Sequence, residues 1–369
     1  MSIGIDASRA FLGKRTGIEE YSYQVIKHLR NELADERVVL YVRKGHIPDF
    51  DLPKSWRVQT VGWSRLWTQG GLALEMLFHP VDALFVPAHT VPWAHPKKTV
   101  VTVHGLEYEF CPEAYSRWER LYMRWSIKNS CRWASKVIAV SENTKRDLAR
   151  WYHVPVEKIA VIHEGVSDFL LKSEIRAPRA DDSSGEFLKL KPYFLFIGRI
   201  EVRKNVARTI EAFDLFKKKH GTNHRLVLAG RPGYGYDRVK LQIQNSKYQN
   251  DIAESGYVGE KEKWRLLRNA SGFLFPSLYE GFGLPVLEAQ SVGVPVLTSK
   301  TSSLPEVSGA DSAVLVDPLS VEDIARGIEK IALDSDFRSA IIESGSKNVT
   351  RFSWGACAKQ IARELVDGK

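Results

Sequence analysis

The chain has 369 residues, 44% hydrophobic and 26% charged, which suits two cores of ordinary size better than one. Its net charge of +9 asks for an anionic partner, but the basic residues are scattered through both halves and no nucleic-acid-binding signature accompanies them, so nucleic acid is not expected as a partner. Cys111, Cys131 and Cys357 are odd in number and lack metal-ligand spacing with histidine, which argues against a disulfide framework; with no leader and no apolar run near ~20 residues, the expected location is cytoplasmic.

Short β-branched runs alternate with helical patterns along the whole chain, the mark of parallel βαβ units. Strands are predicted over residues 2–7, 38–42, 83–86, 99–103, 136–140 and 158–162. A second set follows over 193–198, 225–229, 255–258, 272–275, 294–298 and 313–316. Between them, 167–191 loses all periodicity. The expected organisation is therefore a first α/β domain over 1–170, a linker over 171–190, a second α/β domain over 191–345, and a closing segment over 346–369 with an amphipathic helix at 354–366. Two doubly wound halves of this kind place a ligand cleft between them.

Five stretches carry chemistry. The first strand leads to Gly13-Lys-Arg-Thr-Gly17, and Gly17 opens an amphipathic helix bearing Ile18, Tyr21, Val25, Ile26 and Leu29. His104 follows the strand at 99–103, where a side chain can reach a ligand at the carboxyl edge of a parallel sheet. Residues 115–133 set Trp118, Leu121, Tyr122 and Trp125 on one helical face beside Arg117, Arg120, Arg124 and Lys128. That face is either core packing or a membrane-binding surface, to which Trp63 and Trp67, near Arg65, would add. Gly198-Arg199 ends a strand, and Lys204 lies five residues on; the two cations can clamp a diphosphate, unless Glu201, Arg203 and Lys204 merely form a solvated turn.

The fifth stretch is Pro276-Ser-Leu-Tyr-Glu280-Gly-Phe-Gly-Leu-Pro-Val-Leu-Glu288, in which two carboxylates separated by seven residues frame a glycine-rich turn that opens a helix. Free N–H groups and the helix dipole at such a turn suit an anionic or polyhydroxyl ligand. The plain alternative is a capped helix start. Three other signals are discounted: Asp49 and Asp51 lie in a proline-flanked loop, Asp334 reads as a helix cap, and Gly230-Arg-Pro-Gly-Tyr-Gly235 has the wrong order for a dinucleotide fingerprint.

The Glu280 to Glu288 stretch closely resembles the acidic motif of retaining glycosyltransferases of the GT-B group related to sucrose synthase, glycogen synthase and bacterial mannosyltransferases. The resemblance implies two Rossmann-like domains, with a nucleotide-sugar donor held mainly by the second and a saccharide or lipid-linked acceptor mainly by the first. It implies that Glu280 faces the transferred sugar, that Gly281, Phe282, Gly283 and Leu284 offer backbone amides, and that Glu288 binds the ribose. Gly198, Arg199 and Lys204 would bind and neutralise the leaving diphosphate; His104 would contact the donor sugar, and Val258 and Gly17 would line the donor. No metal and no cofactor are implied, since the cationic clamp serves the leaving group. Relatives often carry two adjacent glycines where Thr16-Gly17 stands and an aspartate where Gly105 stands. The run Ser302-Ser-Leu-Pro-Glu306-Val307 looks most like bacterial mannosyltransferases of surface polysaccharide assembly, which implies GDP-mannose. A UDP-hexose donor, a sugar-nucleotide 2-epimerase and a non-catalytic sugar-binding subunit are the competing expectations. The closing helix is expected to cross back onto the first domain.

Overall fold

The computed structural model describes residues 1–13, 15–166 and 192–366. The linker expected over 171–190 lies outside the described residues. The chain divides into two compact units: Met1–Glu109 with Tyr115–Gly165 and Phe352–Lys369, and Phe110–Ala114 with Val166–Arg351.

Unit 1 runs β1 (Ser2–Asp6), α1 (Gly17–Glu32), β2 (Arg37–Arg43), β3 (Trp56–Val61), α2 (Ala73–Phe78), β4 (Ala83–Val86), β5 (Lys98–Val103), α3 (Glu107–Phe110), α4 (Arg117–Trp133), β6 (Lys136–Ala139), α5 (Glu142–Tyr152) and β7 (Ile159–Val161). Its strands form a 7-stranded sheet in the order β3-β2-β1-β4-β5-β6-β7, parallel throughout. The order reverses between β1 and β4. Fully apolar runs such as Ala83-Leu-Phe-Val86 are buried on both faces, as a sheet covered by helices on either side requires.

Unit 2 begins with β8 (Tyr193–Ile197), α6 (Val206–His220), β9 (Arg225–Ala229), α7 (Tyr236–Asn245), β10 (Ile252–Gly256), α8 (Glu260–Arg268) and β11 (Gly272–Phe275). It continues through α9 (Leu284–Ser291), β12 (Val296–Ser299), α10 (Leu304–Ser308), β13 (Val314–Val316), α11 (Val321–Leu333) and α12 (Ser335–Val349). Its 6-stranded sheet has the order β10-β9-β8-β11-β12-β13, so the reversal falls between β8 and β11. Phe194, Phe196, Phe213, Phe216, Phe273 and Phe275 fill the core around that point.

The last helix, α13 (Trp354–Val366), belongs to unit 1 and packs on α1, with the Tyr21 and Trp354 rings 5.8 Å apart. A Cβ on Gly165 would fall 2.1 Å from the Trp354 nitrogen, so only glycine admits this crossing. The closing segment starts later than residue 346, because α12 continues to Val349.

Two strands depart from the sequence expectation, both at sheet edges. β3 is absent from it, because Arg57 and Val58 are both exposed and the run lacks the apolar continuity of a central strand. The strand expected over 255–258 is β10, which starts three residues earlier: apolar Tyr257 and Val258 carry a strand-like pattern but lie beyond its end, whereas Ile252-Ala-Glu-Ser-Gly256 pairs along one side only. Asp49 and Asp51 are exposed, and the Asp334 carboxylate caps α12 by accepting from the Phe337 N–H at 2.9 Å.

Candidate active site

In doubly wound sheets, ligands bind outside the carboxyl ends of the strands where the order reverses. For unit 2 the chain leaving β8 and the chain leaving β11 meet there. Gly198, at the end of β8, has φ +153°, and Gly230, at the end of β9, has φ +157°. A Cβ on Gly230 would lie 1.7 Å from the Gly198 carbonyl oxygen, so the two strand ends approach as only glycine allows. Arg199 follows, exposed, and its guanidinium makes no ion pair or side-chain hydrogen bond among the described residues.

Lys204 is arranged differently. It ends a short 3₁₀ turn, Val202–Lys204, and is buried, with its ammonium 2.6 Å from Glu280 Oε1 and 4.6 Å from the centre of the Phe275 ring. Arg203 donates to Glu280 Oε2 at 3.0 Å, to the Tyr279 carbonyl at 2.9 Å and to Glu201 at 2.9 Å. The solvated turn that Glu201, Arg203 and Lys204 allowed as an alternative is therefore a packed ionic cluster. Asn205, with φ +60°, starts α6 and ties it to β11 by donating to the Pro276 carbonyl at 3.0 Å.

Glu280 is only 7% exposed. Burial alone would raise its carboxyl pKa, but the charges of Lys204 and Arg203 outweigh burial and hold it below the usual carboxylate range. Burial lowers the Lys204 ammonium and Glu280 opposes that shift. A buried pair of this kind is costly to break from one side, about 3–5 kcal/mol for an uncompensated charge.

The turn beyond Glu280 is held from behind. The single hydroxyl hydrogen of Ser303 is shared between the Phe282 carbonyl at 2.7 Å and the Glu280 carbonyl at 2.9 Å, and the Glu280 N–H donates to Ser302 Oγ at 3.2 Å. Gly281, Phe282 and Gly283 are buried, Gly283 has φ +117°, and Pro285 stands in the first turn of α9 beside half-buried Leu284, where its missing N–H is harmless. Glu288, on α9, accepts from Lys263 at 2.8 Å, and Lys263 also reaches Glu260 at 3.0 Å. Burial works against the Lys263 charge, but the two carboxylates raise its pKa well above the ordinary value. Val258, half-buried on the unit 2 core, lies in the connection between β10 and α8, the helix on which Lys263 stands.

The structure thus brings Lys204 to Glu280 directly and leaves Arg199 open. Sequence reasoning missed Arg203 as a Glu280 partner, Ser302 and Ser303 as the backing of the turn, and Lys263 as the partner of Glu288. None is adjacent in sequence to the group it serves.

In unit 1, Gly17 is exposed at the start of α1, and a Cβ there would meet nothing within 4 Å. His104 is buried: Nε2 lies 2.8 Å from the Pro87 carbonyl oxygen and Nδ1 3.2 Å from Glu164 Oε1. The Tyr21 ring stands edge-on against it at 4.5 Å.

Residues 15–168 match the family model of Glycosyltransferase Family 4, and residues 179–348 match that of Glycosyl transferases group 1. The chain belongs to this glycosyltransferase family. The glycosyltransferase is 30% identical over 265 residues to the O-antigen chain mannosyltransferase B of Escherichia coli, covering 72% of this chain and 69% of that one. It is 26% identical to the O-antigen chain mannosyltransferase RfbU of Salmonella typhimurium, over 97% of this chain and 98% of that one. Among solved structures it is similar to WaaG, a glycosyltransferase involved in lipopolysaccharide biosynthesis, with TM-score 0.72 at 16% identity over 100% of both chains. It is also similar to Anabaena HepE in complex with UDP and glucose, with TM-score 0.74 at 18% identity over 100% of this chain and 99% of that one. The fold is that of the GT-B glycosyltransferases.

Proposed function

We propose that this glycosyltransferase moves a mannosyl group from GDP-mannose to a saccharide or lipid-linked acceptor, with retention of anomeric configuration, in assembly of a bacterial surface polysaccharide of the O-antigen kind. Two relatives named as O-antigen chain mannosyltransferases support the sugar and the product class. The observation that carries the chemistry is the Lys204–Glu280 pair beside an open Arg199 at the reversal point of the unit 2 sheet.

In this reading the donor diphosphate takes Arg199 from solvent and draws on Lys204, which is already held in place by Glu280. Charge developing on the leaving diphosphate then meets one cation already fixed, Lys204, and one drawn in from solvent, Arg199, and no metal is needed. Glu280 lies against the transferred sugar. The amides of Gly281 to Leu284 point at the start of α9, and Glu288, oriented by Lys263, accepts from the ribose hydroxyls. The test is a thermal-shift and transfer screen with GDP, UDP, ADP and their sugars. At equal ligand concentration GDP and GDP-mannose should stabilise most, reaching about 2.7 kcal/mol where that concentration is 100 times their dissociation constant. Preferential stabilisation and turnover with a UDP-hexose would replace the donor assignment.

The acceptor side of this proposal includes peripheral attachment to an anionic membrane. The face of α4 predicted as amphipathic is not packed on the core: Trp118 is 82% exposed, Leu121 56%, Tyr122 48% and Trp125 49%. Arg120 and Arg124 are tied to Glu109, Arg124 at 2.7 Å through Nε, so Arg117 and Lys128 are the better charges to test on that helix. Trp67 is buried in the unit 1 core and adds nothing to the surface, whereas Trp63 is exposed. Replacing Trp118 and Trp125 by serine with Arg117 and Lys128 by glutamate should abolish co-sedimentation with anionic liposomes while GDP affinity is kept. Wild-type protein that stays in the supernatant at low salt would contradict this attachment.

A further inference from the structure

His104, the histidine marked by the sequence, has no ring nitrogen left for a ligand. Its neighbours at Nε2 and Nδ1, the Pro87 carbonyl and the Glu164 carboxyl, are both acceptors, so the two contacts require two protons on the His104–Glu164 pair. The pair is buried on both sides. Its contact with Pro87 anchors the chain that leaves β4, and two residues later that chain presents His89.

His89 stands at the reversal point of the unit 1 sheet, since β1 and β4 are the strands between which the order changes. The chain leaving β1 brings Arg9 to the same place. His89 lies 6.4 Å from His104 between ring centres, and its Nδ1, sealed from solvent, has no hydrogen-bond partner among the described residues. A buried polar atom without a partner costs about 1–3 kcal/mol. Burial, aided by the charges of His104 and Arg9, pushes the His89 pKa down to about 3. The ring is neutral at pH 7, with one donor and one acceptor; Nδ1 is sealed, but the residue as a whole is half-buried, so Nε2, on the other side of the ring, is the nitrogen that a sugar hydroxyl can reach.

We propose that His89 is an acceptor-binding residue of unit 1, taking a hydroxyl of the saccharide acceptor, and that Glu164 and His104 are positioning residues that fix the Pro87 to His89 turn. The proposal rests on the reading of the enzyme as a mannosyltransferase with a saccharide acceptor. It departs from the expectation that His104 itself meets the sugar.

The experiment measures transfer from GDP-mannose to methyl α-mannoside as acceptor probe, with GDP affinity and melting temperature followed in parallel. His89→Ala should raise the acceptor KM about tenfold or more, the scale of one lost hydrogen bond, with GDP affinity and donor KM within about twofold of wild type. His89→Gln, which keeps one donor and one acceptor, should recover part of the loss, and it carries the test if the alanine variant fails to fold. Glu164→Gln should shift the acceptor KM in the same direction as His89→Ala and alter the ring-nitrogen NMR shifts of His104, with GDP affinity kept. An unchanged acceptor KM in His89→Ala, or a parallel loss of GDP affinity, overturns the assignment. Wild-type enzyme that binds GDP but takes no methyl α-mannoside overturns the acceptor site alone; wild-type enzyme that binds no GDP overturns the reading beneath it.

Discussion

Arg199 and Lys204 carry the same charge on the same connection, yet their surroundings give them different consequences when removed. Arg199 is exposed, with no side-chain partner among the described residues, so Arg199→Ala should leave the melting temperature unchanged while lowering turnover by about 10²–10³, the scale of one lost charge-stabilising donor. Lys204→Ala removes the closer partner of a buried carboxylate and should lower turnover and stability together, by up to about 3–5 kcal/mol of unfolding free energy in a urea titration. Equal stability in the two variants would refute the distinction. Glu280 adds a dependence on pH. Its folded carboxyl lies below the unfolded value of about 4.3, so its stabilisation is complete above that pH and is lost as pH falls through the lower folded value. The stability gap between wild type and Glu280→Gln should therefore be widest near neutrality and shrink below about pH 4. A gap that stays constant from pH 7 to pH 3 would show that the folded carboxyl is not depressed.

At the scale of elements, glycine positions separate packing from ligand approach. Gly165 meets the backbone of α13 with no room for a side chain, so Gly165→Ala should destabilise unit 1 strongly, read as a falling melting temperature and early exposure of the buried Trp354. Gly17 has open space about it and no unusual φ, so Gly17→Ala should leave stability equal or raise it by about 0.4–1 kcal/mol; if Gly17 lines the donor as the family resemblance implies, the added methyl group should also weaken GDP-mannose binding. Unchanged donor affinity would leave Gly17 as a helix start only. Central strands were legible in the sequence because burial on both faces writes them as continuous apolar runs, as in Ala83–Val86 and Gly272–Phe275. The edge strands β3 and β10 were not, since one-sided pairing leaves them polar residues at irregular positions.

At the scale of the whole chain, the motif residues Arg199, Lys204, Glu280 and Glu288 could be read in advance because each lies in a local pattern of strand, turn and helix. Their partners could not. Lys263 meets Glu288 and Glu164 meets His104 through pairings set by the order of strands in each sheet, which no local spacing records. The same holds for His89, an unmarked residue in sequence that the topology sets beside the β1 connection. The central claim is that this family member transfers mannose from GDP-mannose with retention, using a cationic clamp and no inverting base. The most direct measurement is ¹H NMR of a reaction with GDP-α-mannose and methyl α-mannoside, observing the anomeric signal of the newly formed bond. Wild type should form an α-linked mannoside, and its rate should collapse in Arg199→Ala. A β-linked product, or an undiminished rate in that variant, would contradict the central claim.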